Sequence, residues 1–164
     1  MDSIDIYFRL PGPAGQLSNL TENPFIMDNT FFGSTEGFLQ GLRESNPVRQ
    51  KEVFAMHGIK AKTSGGIRPI KGQTLYWKGQ PFNRHSEFYQ NLLKKAFTCC
   101  FAQNEKYQKA LYDTLDKELK HTIGKSDPYD TILTVEEFVG TLTSIREKYR
   151  EFLIKKFRSE ERRV

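Results

Sequence analysis

Two cysteines, Cys99 and Cys100, make up the whole thiol complement of this 164-residue chain, and they are adjacent. Neighbouring cysteines do not bridge each other without strain. The sequence therefore offers no intramolecular disulfide framework, and no Cys-x-x-Cys or Cys/His spacing suited to zinc. The three histidines, His57, His85 and His121, are scattered and outline no metal cluster. No apolar run approaches the ~20 residues that span a bilayer. The opening residues Met1-Asp2-Ser3-Ile4-Asp5 are acidic and lack the apolar stretch of a signal peptide. The expectation is a soluble, cytoplasmic protein that contacts no membrane. A Walker loop, a GxGxxG turn and an alternating strand–helix pattern are all missing, which argues against a doubly wound nucleotide fold. Internal repeats and low-complexity segments are missing too.

Aromatic residues, by contrast, are plentiful. With 13 Phe, 7 Tyr and 37% hydrophobic residues, the chain has the material for a real core. Its length fits a single domain over residues 1–164. The net charge of +5 points mildly to a polyanionic partner. Part of that excess sits in Lys155-Lys156-Phe157-Arg158 and Arg162-Arg163, which read as the solvated cationic end of a helix. Lys60, Lys62, Arg68 and Lys71 instead flank Ser64-Gly65-Gly66, where backbone N–H groups are candidates to meet a phosphate.

Local patterns predict a mainly helical α+β fold with small antiparallel strand pieces. Residues 4–10 read as a strand and 11–15 as a loop. Residues 24–32 read as a hairpin turning at Asp28-Asn29. Ser34 is an N-cap for a helix to about Arg43. Asn46-Pro47 opens a second helix ending near Gly58, and 60–64 a short third. Residues 67–80 read as loop, anchored by Leu75-Tyr76-Trp77. Apolar spacing predicts a long helix over 82–102, with the cysteine pair as packing. Asn104 starts a helix to about Asp113, 115–122 holds a weak strand, and Asp127-Pro128 makes a turn. Thr134 and Glu137 form a capping box for a final helix to about Phe157.

Glu36 and Gln40 stand four residues apart at a helix start, on one face. Alone, that pair is either a base with a substrate clamp or two ordinary surface residues. The wider motif order is more informative. It runs from Leu17-Ser18-Asn19-Leu20 and Asn23-Pro24-Phe25 to Ser34-Thr35-Glu36 with Gln40. It continues through Ile59-Lys60-Ala61-Lys62 with Gly65, Trp77, and Phe101-Ala102-Gln103-Asn104. Leu111 with Thr114, Asp127-Pro128-Tyr129-Asp130, Val139-Gly140 and Ile145-Arg146 complete it. In this order and spacing, over about residues 17–146, the chain resembles the NADAR superfamily, also called the YbiA-like family. It departs from the family pattern at Gly37, where a histidine commonly follows the acid, and at Leu133-Thr134, where Trp-Gly is usual.

The resemblance implies a YbiA-like domain that cleaves N-glycosidic bonds without a cofactor or metal. One branch of the family removes ADP-ribose from guanine in nucleic acid, reversing the action of DNA-modifying toxins. Another acts on phosphorylated ribosylamino-pyrimidine intermediates of riboflavin synthesis. The leading expectation is the first activity, on ADP-ribosylated nucleic acid. The alternatives are the second activity, on a phosphorylated nucleotide-like glycoside, and a non-catalytic nucleotide- or DNA-binding module.

Each residue has a role in that chemistry. Glu36 is the candidate to activate water or stabilise positive charge at the ribose C1, the helix dipole favouring its ionised form. Lys62 is the candidate to attack that carbon, or to capture the ring-opened aldehyde as an imine, provided that neighbouring cations and burial help it shed a proton. Asp130 is placed to bind ribose hydroxyls or to act as a second acid; its plainer reading is a turn residue capping its own backbone. Trp77 offers a stacking face for a base, or simply anchors a loop. Asn19 and Gln40 suit a base edge. Arg9 and Arg68, and secondarily Ser18 and Ser34, are the phosphate contacts.

Overall fold

The computed structural model describes residues 2–64 and 70–163. Seven α-helices and six short strands are found among them. In chain order these are β1 (Ser3–Asp5), α1 (Pro13–Gln16), β2 (Phe25–Met27), β3 (Thr30–Phe32), α2 (Thr35–Gly41), α3 (Pro47–Phe54) and α4 (Gly58–Ser64). Then come β4 (Thr74–Trp77), β5 (Gln80–Asn83), α5 (Glu87–Gln103), α6 (Glu105–Asp113), β6 (Glu118–Lys120) and α7 (Val135–Glu161). The α+β, mainly helical class expected from the sequence is the class found.

The strands form three separate pairs. β2 and β3 make an antiparallel hairpin, and both turn residues, Asp28 and Asn29, take positive φ (50° and 59°), as a tight two-residue turn requires. β4 and β5 make a second antiparallel hairpin, in a segment that reads as loop by composition. Its turn is Lys78-Gly79, again with both φ positive (51° and 85°). Pro81 lies within β5, which a two-stranded ribbon tolerates because every strand is an edge. The third pair departs from the antiparallel expectation: β1 runs parallel to β6, with Ile4 opposite Leu119. Three-residue strands from opposite ends of the chain carry no local turn that would announce their direction.

The helices mostly start where their caps predict. Ser34 accepts from the Gly37 amide at 2.9 Å, Asn46 accepts from Val48 and Arg49, and the Thr134–Glu137 capping box closes in both directions. The long central helix begins later than its apolar spacing predicts. Ser86 caps it, and Phe82 belongs to β5. Residues 13–16, expected as loop, form one helical turn, and α7 continues to Glu161.

The core gathers Phe25, Phe32, Phe38 and Phe54 on one side and Tyr89, Leu93, Phe97, Phe138 and Leu142 on the other. Burying aromatic surface of this size dominates the stabilisation, at roughly 25 cal/mol per Å² of apolar area. Cys100 is part of this core, and burial pushes its thiol pKa up, as expected for a cysteine that packs rather than reacts.

Helix α2 sits unusually close to its neighbour. A Cβ on Gly33 would lie 2.3 Å from the Ala55 carbonyl oxygen. One on Gly37 would lie 2.6 Å from that of Met56, and one on Gly41 2.2 Å from the Phe54 ring. Gly37 and Gly41 are four residues apart on α2 and Gly33 lies just before its cap; together they form a seam on which the end of α3 rests directly. An imidazole at position 37 has no room in this packing. The glycine there is a steric requirement of the seam.

Candidate active site

A cavity of about 620 Å³ opens where the start of α2, helix α4, the turn after β1, the 121–125 loop and the 130–133 segment meet. Seven of the sequence-predicted residues line it: Glu36, Gln40, Asn19, Ser18, Lys62, Arg9 and Asp130. They come from five separate stretches of chain.

Glu36 is held from both sides. Its backbone amide donates to the Asn19 carbonyl at 2.9 Å, tying the first turn of α2 to the 17–20 loop. Its carboxylate Oε2 accepts from Gln40 Nε2 at 2.9 Å, and Gln40 Oε1 in turn accepts from Arg43 at 3.3 Å. Burial is the largest influence on this carboxyl and raises its pKa. The Gln40 hydrogen bond and the charges of Lys62, His121 and Arg43 oppose that rise without cancelling it. The dipole argument, which favours the ionised form, is therefore outweighed by desolvation. The carboxyl is tuned to hold a proton more readily than a surface glutamate.

Gln40 serves this carboxylate with one N–H and Arg43 with its oxygen, so its role is to orient Glu36. Asn19 is better placed as a donor to a ligand. Its Oδ1 accepts from Thr35 Oγ1 at 2.8 Å, and its Nδ2 has no hydrogen-bond partner among the described residues. Ser18 Oγ accepts from the Leu20 amide at 3.3 Å and shapes the same loop.

Lys62 is on the last turn of α4 and its side chain is exposed. It is close enough to Glu36 to affect its charge. The burial that would help an amine act as nucleophile is not found there. Its neighbour Lys60 points away, lining a different groove with Arg49 and His57. Arg9 lies at the cavity rim with φ of 68°, its guanidinium 5.0 Å over the Phe8 ring. Asp130 is exposed in the turn after Asp127. Arg68 and the Gly65-Gly66 pair lie outside the described residues.

Two sequence-predicted contacts are not brought into the cavity. Trp77 packs among core rings instead, stacked on Phe32 at 6.4 Å and tilted against Phe54 at 5.9 Å. The loop-anchor reading is the one that fits. Ser34 is completely buried, spending its hydroxyl on the Gly37 amide and the Met56 carbonyl. It caps α2 and is not among the residues that line the cavity.

Sequence reasoning also missed residues that the fold supplies. His121 and Lys125 come from the loop after β6. Arg84 acts from behind the cavity wall. Its side chain is 1% exposed and makes two hydrogen bonds to Glu137, at 2.6 and 3.1 Å, and one to the Thr131 carbonyl at 3.0 Å. Tyr89 hydrogen-bonds the Ile132 carbonyl from below. Together they fix the 131–132 backbone beside Asp130. Sequence offered one usable signal for Glu137, the capping box, and none for Arg84. Among the described residues, no group of three His, Cys, Asp or Glu side chains is arranged to hold a metal ion.

Comparison with known proteins defines the class by its fold first. The NMR structure of the E. coli protein YbiA matches with a TM-score of 0.62 at 14% sequence identity, covering 94% of this chain and 89% of that one. The domain therefore has a YbiA-like fold, the one its motif order implies. The particular family is then given by sequence. The family described as Bacteriophage protein GP30.3 matches residues 12–147. An uncharacterized 17.1 kDa protein from the Gp30–rIII intergenic region of enterobacteria phage T4 is 35% identical over 150 residues, 90% of this chain and 99% of that protein. The chain belongs to the bacteriophage GP30.3 family.

Proposed function

We propose that this phage-family protein is an N-glycoside hydrolase that removes ADP-ribose from guanine in nucleic acid. The observation that carries the reading is the Glu36 carboxyl: desolvated, held by Gln40, and facing a cavity rimmed by Arg9, Lys62 and Lys125. Breaking a ribose–nitrogen bond needs a proton for the departing base and cations for the phosphates. A carboxyl whose pKa is raised by burial is suited to the first task. The three cations are suited to the second. Asn19 Nδ2 supplies a neutral donor for a base edge or a ribose hydroxyl, and Asp130 an acceptor for hydroxyls. Lys62, exposed on the last turn of α4, acts first as a phosphate contact. Capture of the opened sugar as an imine is its second task. The YbiA-like fold and the NADAR-type motif order support this reading of the site.

The test is incubation of the protein with DNA bearing ADP-ribosylated guanine, reading free ADP-ribose. Release that is lost in Glu36→Gln supports the proposal; absence of release by the wild type sinks it. A cavity of about 620 Å³ also fits a single phosphorylated ribosylamino-pyrimidine. Cleavage of that compound alone would move the protein to the riboflavin-type activity. Tight binding of either ligand without turnover would make it a binding module. Borohydride trapping of a sugar adduct that vanishes in Lys62→Ala would establish the imine.

A further inference from the structure

A histidine occupies the cavity although none adjoins Glu36 in sequence. His121 follows β6 directly, and its Nδ1 lies 2.9 Å from the carbonyl oxygen of Ile6, beside β1. A carbonyl only accepts, so Nδ1 carries the hydrogen. In the neutral ring the lone pair is therefore on Nε2. Nε2 has no hydrogen-bond partner among the described residues. The ring is clamped as well as hydrogen-bonded. It meets Phe138 edge-on at 5.3 Å, and a Cβ on Gly124 would stand 2.7 Å from its Cδ2. Ile6 is fully buried, and its own N–H donates to the Lys120 carbonyl at 2.8 Å, so the anchor for the ring is part of the parallel β1–β6 pair. The residue with this fixed tautomer, clamped ring and unpartnered Nε2 lines the same cavity as the candidate acid.

We propose that His121 is a further catalytic residue of this cavity, the base that takes a proton from the attacking water through Nε2. This inference rests on the N-glycosidase reading. In direct hydrolysis the C1–N bond breaks, its electron pair stays on the base nitrogen, and that nitrogen takes the proton of the Glu36 carboxyl. The water oxygen bonds to C1 and the water's proton passes to His121 Nε2. Transfer of a proton from the imidazolium back to the Glu36 carboxylate, through solvent, restores both groups. Two titratable groups in different environments thus divide the acid and base tasks. The charged groups around the imidazole are Asp5 from β1, Glu36 from α2, Lys62 from α4, and Lys125, Asp130 and Arg9 along the cavity wall.

The experiment compares wild type, His121→Asn and His121→Gln on ADP-ribosylated guanine in DNA, across pH. Asn retains an N–H donor near the Nδ1 position but offers no base. Expected for His121→Asn is a fall in kcat of about 10²–10³-fold with little change in KM, loss of the limb of the pH–rate profile set by the imidazole proton, and partial recovery on adding free imidazole. The melting temperature reports whether each variant is folded. Should His121→Asn lose its fold, His121→Gln serves in its place. A folded variant with wild-type rate and pH profile overturns the role of His121 and leaves the glycosidase reading standing. A wild type that releases no ADP-ribose overturns that reading, and this inference with it.

Discussion

Arg84 and Glu137 form a two-point contact beneath the floor of the cavity, the guanidinium meeting both carboxylate oxygens at 2.6 and 3.1 Å. The same carboxylate closes the capping box of α7, and the same guanidinium grips the Thr131 carbonyl. The pair therefore joins the start of α7 to the segment that carries Asp130. Removing either partner strands the other: Arg84→Ala or Glu137→Ala is expected to cost about 3–5 kcal/mol, read by chemical denaturation. Burial raises the Glu137 carboxyl, but its bonds to Arg84, the Thr134 amide and Gln90 prevail, and the net pKa lies below the ordinary carboxylate value. The stability from this group is accordingly present above the unfolded-state pKa and lost as pH falls through the lowered folded value. Glu137→Gln should flatten that acid loss in a pH series of melting curves.

Glu36 predicts the opposite sign. Its folded-state pKa is raised, so the native state holds the proton longer than the unfolded chain does. Stability is then fully present below the unfolded value and falls as pH rises through the folded one. Glu36→Gln should melt higher than wild type at neutral pH while releasing ADP-ribose on the order of 100-fold more slowly. A variant that is both less active and less stable at every pH would contradict the desolvated carboxyl.

Trp77 should matter to the fold and not to the ligand. Trp77→Phe is expected to leave KM unchanged. Trp77→Ala should destabilise by less than the roughly 3–5 kcal/mol of a fully buried tryptophan, because the indole is partly exposed. A KM effect in Trp77→Phe, measured on the same substrate, would return the indole to the site.

The hydroxyl of Tyr107 is buried without a hydrogen-bond partner among the described residues. Tyr107→Phe removes a desolvated polar atom and nothing else. It should leave stability unchanged or raise it by up to about 1 kcal/mol, a difference that denaturant midpoints resolve.

Gly37→Ala places a methyl against the Met56 and Phe54 carbonyl oxygens, 2.6 and 2.7 Å away. The expected cost is about 1–3 kcal/mol, with loss of activity because Glu36 is one residue away. Normal stability in this variant would mean that the seam opens more easily than its spacing implies.

What was legible in the sequence was local. Ser34, Asn46, Thr134 and the Asp28-Asn29 turn each act within a few residues, so their chemistry is readable in order. The β4–β5 hairpin escaped because a lysine fills one of the two left-handed positions of its turn and a proline sits in its strand. The parallel partner of β1 escaped because Ser3 and the residue it pairs with, Glu118, lie 115 positions apart in the chain. Motif order brought seven residues to one cavity, yet Trp77 and Ser34 lie away from it in the loop-anchor and helix-cap roles the sequence also allowed, since spacing along a chain does not say which side of a wall a residue occupies. His121 was invisible for the same reason. Only the pairing of β1 with β6 carries an isolated histidine to the carboxyl it accompanies.

The glycine seam along α2 bears on how such a protein can diversify. Contact across the seam is made with the Ala55 and Met56 carbonyls and the Phe54 ring, so the position of Glu36 depends on where the end of α3 lies. Val48, 70% exposed at the other end of that helix, is outside these contacts. A side chain at Gly33, Gly37 or Gly41 would press on those atoms, so a change there is felt at Glu36.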